Sequence, residues 1–153
     1  MDQLTKGYRV IIVEKEDEDS IYDAIKSQSL TQKIDTMILG GHGTEGSVLF
    51  GHKLNNNDIG NEKGNIDITD SEELSKLRYC FVEKPIVIFE ACSTGKDNKS
   101  IGAVVSDALK ATAFAPREPA FIRRYVTDTK GRVKEVVYTK SSNRFLSGHI
   151  EKS

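Results

Sequence analysis

Two short segments carry side chains capable of covalent chemistry: LGGHGTEG, Leu39 to Gly46, and FEACSTG, Phe89 to Gly95. His42 stands between Gly41 and Gly43, where the missing β-carbons let another chain or a substrate approach the backbone closely. An imidazole titrates near neutral pH, so it can take a proton from a thiol and return one to a leaving amine. Cys92 is flanked by the small residues Ala91, Ser93 and Gly95, which leave its sulfur accessible. A thiol ionises at about pH 8.5, and a neighbouring imidazolium makes the thiolate available at neutral pH as a nucleophile. His42 and Cys92 together therefore point to acyl transfer, with hydrolysis of a peptide bond as the leading reading.

The other chemistry-bearing residues fit blander roles. His52 sits in a polar stretch and His149 near the tail, and neither has glycine neighbours on both sides. Cys80 has no adjacent base or glycine frame and reads as a partly buried structural thiol. Glu90 is a supporting candidate that can orient the base, face a basic substrate, or cap backbone donors near Cys92. Ser93 and Thr94 shape the turn, since nothing places a general base beside them. Gly41, Gly43 and Gly46 also satisfy GxGxxG, but a dinucleotide loop opens a helix after the first strand. Here the glycines follow the second candidate strand and precede SVLF, another strand. No cofactor or metal is expected, because neither cysteine belongs to a CxxC pair or a spaced zinc motif.

The elements that must position the pair follow from hydrophobic spacing. YRVIIV (Tyr8 to Val13) and TMIL (Thr36 to Leu39) read as buried strands, and Ile21, Ala24 and Ile25 within Ser20 to Ser29 suit a crossover helix. That makes a βαβ unit ending at the His42 loop. SVLF (Ser47 to Phe50) is a strand, and the Asn, Asp and Gly-rich stretch after it is an exposed excursion. Thr69, Asp70 or Ser71 caps a helix with Leu74, Leu77 and Phe81 on its apolar side, and Cys80 lies at its end.

IVIF (Ile86 to Phe89) is a central strand that runs directly into the Cys92 segment. Ile101 to Leu109 is an apolar-faced helix with Ser100 near its start, and Thr112 to Ala115 is a further strand stopped by Pro116. The alternation predicts a mostly parallel layered sheet. RRYVTDTKGRVKEVVY places a DTKG turn between two β-prone runs, a C-terminal hairpin. The tail TKSSNRFLSGHIEKS is a loop or a short edge strand. Fifty residues separate His42 from Cys92, yet parallel strands present their carboxyl ends on one side, so the two loops meet if their strands are neighbours.

Whole-chain properties bound the reading. The chain has 153 residues and 37% hydrophobic content, which suits one domain over residues 1–153. No apolar run approaches the ~20 residues that span a bilayer, and MDQLTKGYRV lacks the form of a secretion signal. A soluble, cytoplasmic protein with reduced thiols is expected. The net charge is −1, which gives no reason to expect nucleic-acid binding. The charge is uneven: residues 1–116 carry 13 Lys/Arg against 19 Asp/Glu, and residues 117–153 carry 9 against 4. The basic C-terminal region is a candidate docking face for an anionic ligand or a protein partner.

Taken together, Gly41-His42-Gly43 and Ile88-Phe89-Glu90-Ala91-Cys92-Ser93-Thr94-Gly95 resemble the caspase-like (clan CD) superfamily of cysteine peptidases. That superfamily includes caspases, legumain-type, clostripain- and gingipain-like enzymes and the bacterial CHAT domains. The resemblance extends to Leu49–Gly51 and Ile101–Pro116. ACSTG is similar to the ACxTG pattern of CHAT domains, and the glutamate before it to that of legumain-type enzymes.

The resemblance implies an α/β three-layer sandwich, a mostly parallel central sheet with helices on both faces. It also implies a thiol protease with a His42–Cys92 dyad and an oxyanion site at the backbone N–H groups of Gly43 and Cys92. The substrate is then a protein or peptide, with activity conditional on a ligand or partner in some relatives. The chain departs from larger members in lacking room for a second subunit-like half. Two rivals are a catalytically inactive interaction domain using the same loops, and another cysteine-dependent acyl hydrolase such as a deamidase.

Overall fold

A computed structural model of the chain describes residues 8–14, 17–49 and 65–151. Its centre is β5 (Phe81–Glu90), whose PIVIF run is buried on both sides, as a strand covered on two faces requires. Val87 and Phe89 point into one apolar cluster, while Ile86 and Ile88 point into another. β1 (Ile34–Gly40) pairs with β5 in parallel, with Gly40 opposite Glu90, and β6 (Thr112–Pro116) pairs in parallel on the other side. The five-stranded sheet is completed by β9 (Ser142–Leu146), antiparallel to β6, and β10 (His149–Ile150), antiparallel to β9.

The first cluster joins this sheet to α1 (Glu18–Thr31), α2 (Ser71–Ser75), a 3-10 turn at Arg78–Cys80 and α3 (Ile101–Leu109). α1 is capped by Asp17, whose side chain accepts the Ser20 N–H at 2.8 Å. Asp70 is the N-cap of α2, although its carboxylate accepts the Asp67 N–H instead of a helix amide. The second cluster contains Val133, Val136 and Tyr138 from the hairpin β7 (Ile122–Thr127) and β8 (Val133–Tyr138), packed against Ile86, Ile88 and Phe114. A three-stranded antiparallel meander, β2 (His42–Thr44), β3 (Ser47–Leu49) and β4 (Asn65–Asp67), stands beyond the end of β1.

Several expectations need correction. The helix expected to carry Leu74, Leu77 and Phe81 is only the short α2 followed by the 3-10 turn, and Phe81 opens β5. The sheet is mixed rather than mostly parallel, since β9 and β10 run against their neighbours. The helices do not cover both faces: among the described residues they pack on one, and the β7–β8 hairpin fills the other. The tail does form a short edge strand, β10, but it also forms β9 inside the sheet, because Phe145 is fully buried and draws β9 onto β6.

YRVIIV forms no strand. Tyr8 and Val10 pack on the hairpin-side cluster, and the Tyr8 hydroxyl accepts the Val133 N–H at 2.8 Å and lies 3.0 Å from Thr36 Oγ1. Side chains anchor this segment instead of a ladder, so α1 is not a crossover between two paired strands. A cleft of about 760 Å³ lies along β1, lined in part by Tyr8, Ile11, Val13, Ile21 and Ile25. Phe50 and the excursion after it, to residue 64, lie outside the described residues. No described helix is long and apolar enough to cross a membrane.

Candidate active site

The parallel pairing of β1 with β5 puts their carboxyl ends side by side, and each end leads into one of the two chemistry-bearing loops. On the β1 side, Gly41 turns the chain into the β2–β3 hairpin, with His42 opposite Leu49 and Gly43 opposite Val48. The glycine string thus opens a hairpin and not a helix. His42 is exposed. The hairpin turn at Glu45–Gly46 is braced by Thr44 and Ser47, whose hydroxyls are 2.8 Å apart, and by the Gly46 N–H on Thr44 Oγ1.

On the β5 side, Ala91 to Gly95 make a tight turn with Cys92 half-buried. Ser93 holds a left-handed backbone, φ 62°, which costs an L-residue roughly 1–2 kcal/mol. Buried Thr94 offsets part of that by donating its hydroxyl to the Ala91 carbonyl at 2.8 Å. Gly95 donates to the Pro116 carbonyl at 2.8 Å and accepts from Asn143 Nδ2 at 2.7 Å, which fastens the turn to β6 and β9. Ser93 and Thr94 therefore act as shapers of the turn.

The backbones of the two loops meet at Gly43. A β-carbon on Gly43 would sit 2.5 Å from the Cys92 nitrogen and 2.7 Å from the Ala91 carbonyl carbon, so only glycine allows this approach. The chain that exploits the missing side chain is the Cys92 segment itself. The start of α3 then ties both loops together. Helix N-termini leave amides without intrahelical partners, and here the Ile101 N–H goes to the Glu45 carbonyl and the next, Gly102, to the Thr94 carbonyl, both at 2.8 Å.

Glu90 is exposed at the tip of β5. Burial raises the Tyr125 phenol, with the Glu90 charge adding to the effect. Burial also raises Tyr138, with Tyr125 and Glu90 contributing. The Tyr138 hydroxyl lies 2.7 Å from the Phe89 carbonyl and 3.0 Å from that of Phe114, bracing the ends of β5 and β6. Tyr138 and Asn143 escape sequence reasoning because their roles depend on strand pairing across 49 and 48 residues.

Cys80 is fully buried, and both cysteines are free. His149 is exposed on β10, and His52 falls outside the described residues. Among the described residues no three His, Cys, Asp or Glu side chains are grouped to hold a metal. The cleft along β1 reaches Gly40, but neither His42 nor Cys92 lines it. Arg123, Arg124 and Lys134 are exposed on the hairpin, whereas Arg132 pairs with Asp35 at 3.0 Å. Comparisons with protein-family models, curated proteins and solved structures returned no match to this chain.

Proposed function

We propose that the protein is a cysteine peptidase of caspase-like type, in which Cys92 and His42 cleave a peptide bond. The observation that carries this reading is the contact of Gly43 with the Ala91–Cys92 peptide at the carboxyl ends of two adjacent parallel strands. In the proposed reaction the Cys92 proton passes to His42 and the sulfur attacks the substrate carbonyl. The tetrahedral oxyanion is held by backbone N–H groups at Gly43 and Cys92, each such donor contributing roughly 3 kcal/mol. The C–N bond breaks as His42 protonates the departing amine, which leaves a thioester. Water then attacks the thioester, His42 takes its proton, and the acid product leaves with the thiol restored.

Glu90 supports a narrower statement about the substrate. Its exposed carboxylate stands at the strand tip two residues before Cys92, near the half-buried phenol of Tyr125 and the buried one of Tyr138. A Lys or Arg side chain next to the scissile bond matches that charge. The basic patch of Arg123, Arg124 and Lys134 remains a proposed docking face for an anionic ligand or partner that conditions activity.

The test is cleavage of a diverse peptide library by the parent, Cys92→Ala, His42→Ala and Glu90→Gln proteins. Both dyad variants should lose turnover while keeping the parent's melting temperature. Glu90→Gln should lose preference for basic residues by about tenfold, the usual size of one charged hydrogen bond. Turnover that survives in either dyad variant contradicts the mechanism. Release of ammonia from glutamine side chains without chain cleavage would move the reading to a deamidase.

A further inference from the structure

Beyond the backbone contacts already described, one side-chain pair joins the two loops. Lys96 Nζ lies 2.5 Å from Glu45 Oε1, across 51 residues of sequence, with each side chain 55% exposed. Glu45 is three residues past His42 at the tip of its hairpin, and Lys96 is four residues past Cys92.

We propose that Glu45 and Lys96 form an ionic latch that positions the His42 hairpin against the Cys92 turn, a role that rests on the cysteine peptidase reading and deepens it. The geometry explains why a surface pair can have this effect. The Glu45 carbonyl is pinned by the Ile101 N–H at the start of α3 and the Gly46 carbonyl by the Ile68 N–H, so the backbone of the hairpin tip is fixed to α3 and to the chain after β4. The ion pair adds a side-chain hold on the Cys92 side and so restricts movement of the tip relative to that turn.

Asp97 adds its charge beside Lys96, but its carboxylate also accepts the Lys99 N–H at 2.8 Å, which keeps it turned toward its own loop. Neither latch residue touches the reacting atoms in this scheme. They are positioning residues, and small displacements at a reacting pair are costly in rate.

Exposed ion pairs are weak and screened by salt. The latch should therefore produce a modest effect with an electrostatic signature that simple loss of stability does not share. The measurement is the rate of Cys92 alkylation by iodoacetamide at neutral pH, followed by intact mass and peptide mapping. The proteins compared are the parent, Glu45→Lys, Lys96→Glu, the double charge swap, and His42→Ala.

At low salt each single reversal should slow alkylation about twofold to fivefold, the range such pairs span, and the swap should restore it. At about 1 M salt, where screening acts within about 3 Å, the parent should fall toward the single variants. All the latch variants should melt at the parent's temperature. Single variants that react like the parent, or a swap no faster than the singles, would overturn the latch. If His42→Ala alkylates as fast as the parent, the dyad reading itself fails. If His42→Ala is slow while the latch variants are unaffected, only the latch fails.

Discussion

Gly43 has no room for a side chain, because the Ala91–Cys92 peptide occupies the place a β-carbon would take. Gly43→Ala must push the two strand tips apart. We expect a loss of turnover of at least about tenfold, with a stability cost of about 1–3 kcal/mol typical of overpacking. Ser93→Gly should do the opposite. It relieves the left-handed strain at φ 62° and should raise stability by up to about 1 kcal/mol with turnover kept. Thermal melts and peptide cleavage check both. A Gly43→Ala protein with parental turnover would mean that the contact does not organise the site. The sequence was informative here: the glycines around His42 marked a place where another chain or a substrate could approach the backbone closely. It could not show that the Ala91–Cys92 peptide takes the space a Gly43 β-carbon would fill, since that contact spans about fifty residues.

α1 begins with a carboxyl that is awkwardly placed. Glu18 is 4% exposed, and burial, followed by the charge of Asp70, raises its pKa from 4.5 to about 7. A folded-state pKa above the unfolded value means that protons favour the fold. The associated stability is fully present below about pH 4.5 and is lost as pH rises through about 7. Glu18→Gln should therefore flatten this part of the pH–stability curve and melt higher than the parent at alkaline pH, by up to about 3 kcal/mol. Melting curves that stay parallel across this window would show that Glu18 is solvated in the fold.

Elements with a strong local pattern were legible. The helix expected at Ile101–Leu109 has those bounds, and IVIF lies in the buried second half of β5. YRVIIV misled because a β-prone run becomes a strand only when a ladder accepts it, and here Tyr8 is held by side-chain contacts to Thr36 and Val133. β9 was hidden by the opposite problem, since Phe145 is its single fully buried residue and one residue shows no period.

Across the whole molecule, the sheet has helices on one face and a two-stranded hairpin on the other. Strand and helix alternation correctly suggested parallel strands around the site, but it carries no information about which layer covers each face. That choice is made by Val133, Val136 and Tyr138 meeting Ile86, Ile88 and Phe114, contacts that join distant parts of the chain. The arrangement leaves the carboxyl ends of β1, β5 and β6 on one side, which is where parallel sheets place ligands. The proposed chemistry depends on a thiol at that edge reacting with an acyl group because His42 stands on the next loop. The most direct measurement is mass-spectrometric mapping of the adduct formed by a lysine-ending peptide with an electrophilic carbonyl, on the parent and on His42→Ala. One adduct is expected, on Cys92 and not on buried Cys80, and His42→Ala should lose it; labelling of Cys92 at equal rates in both proteins would contradict the dyad.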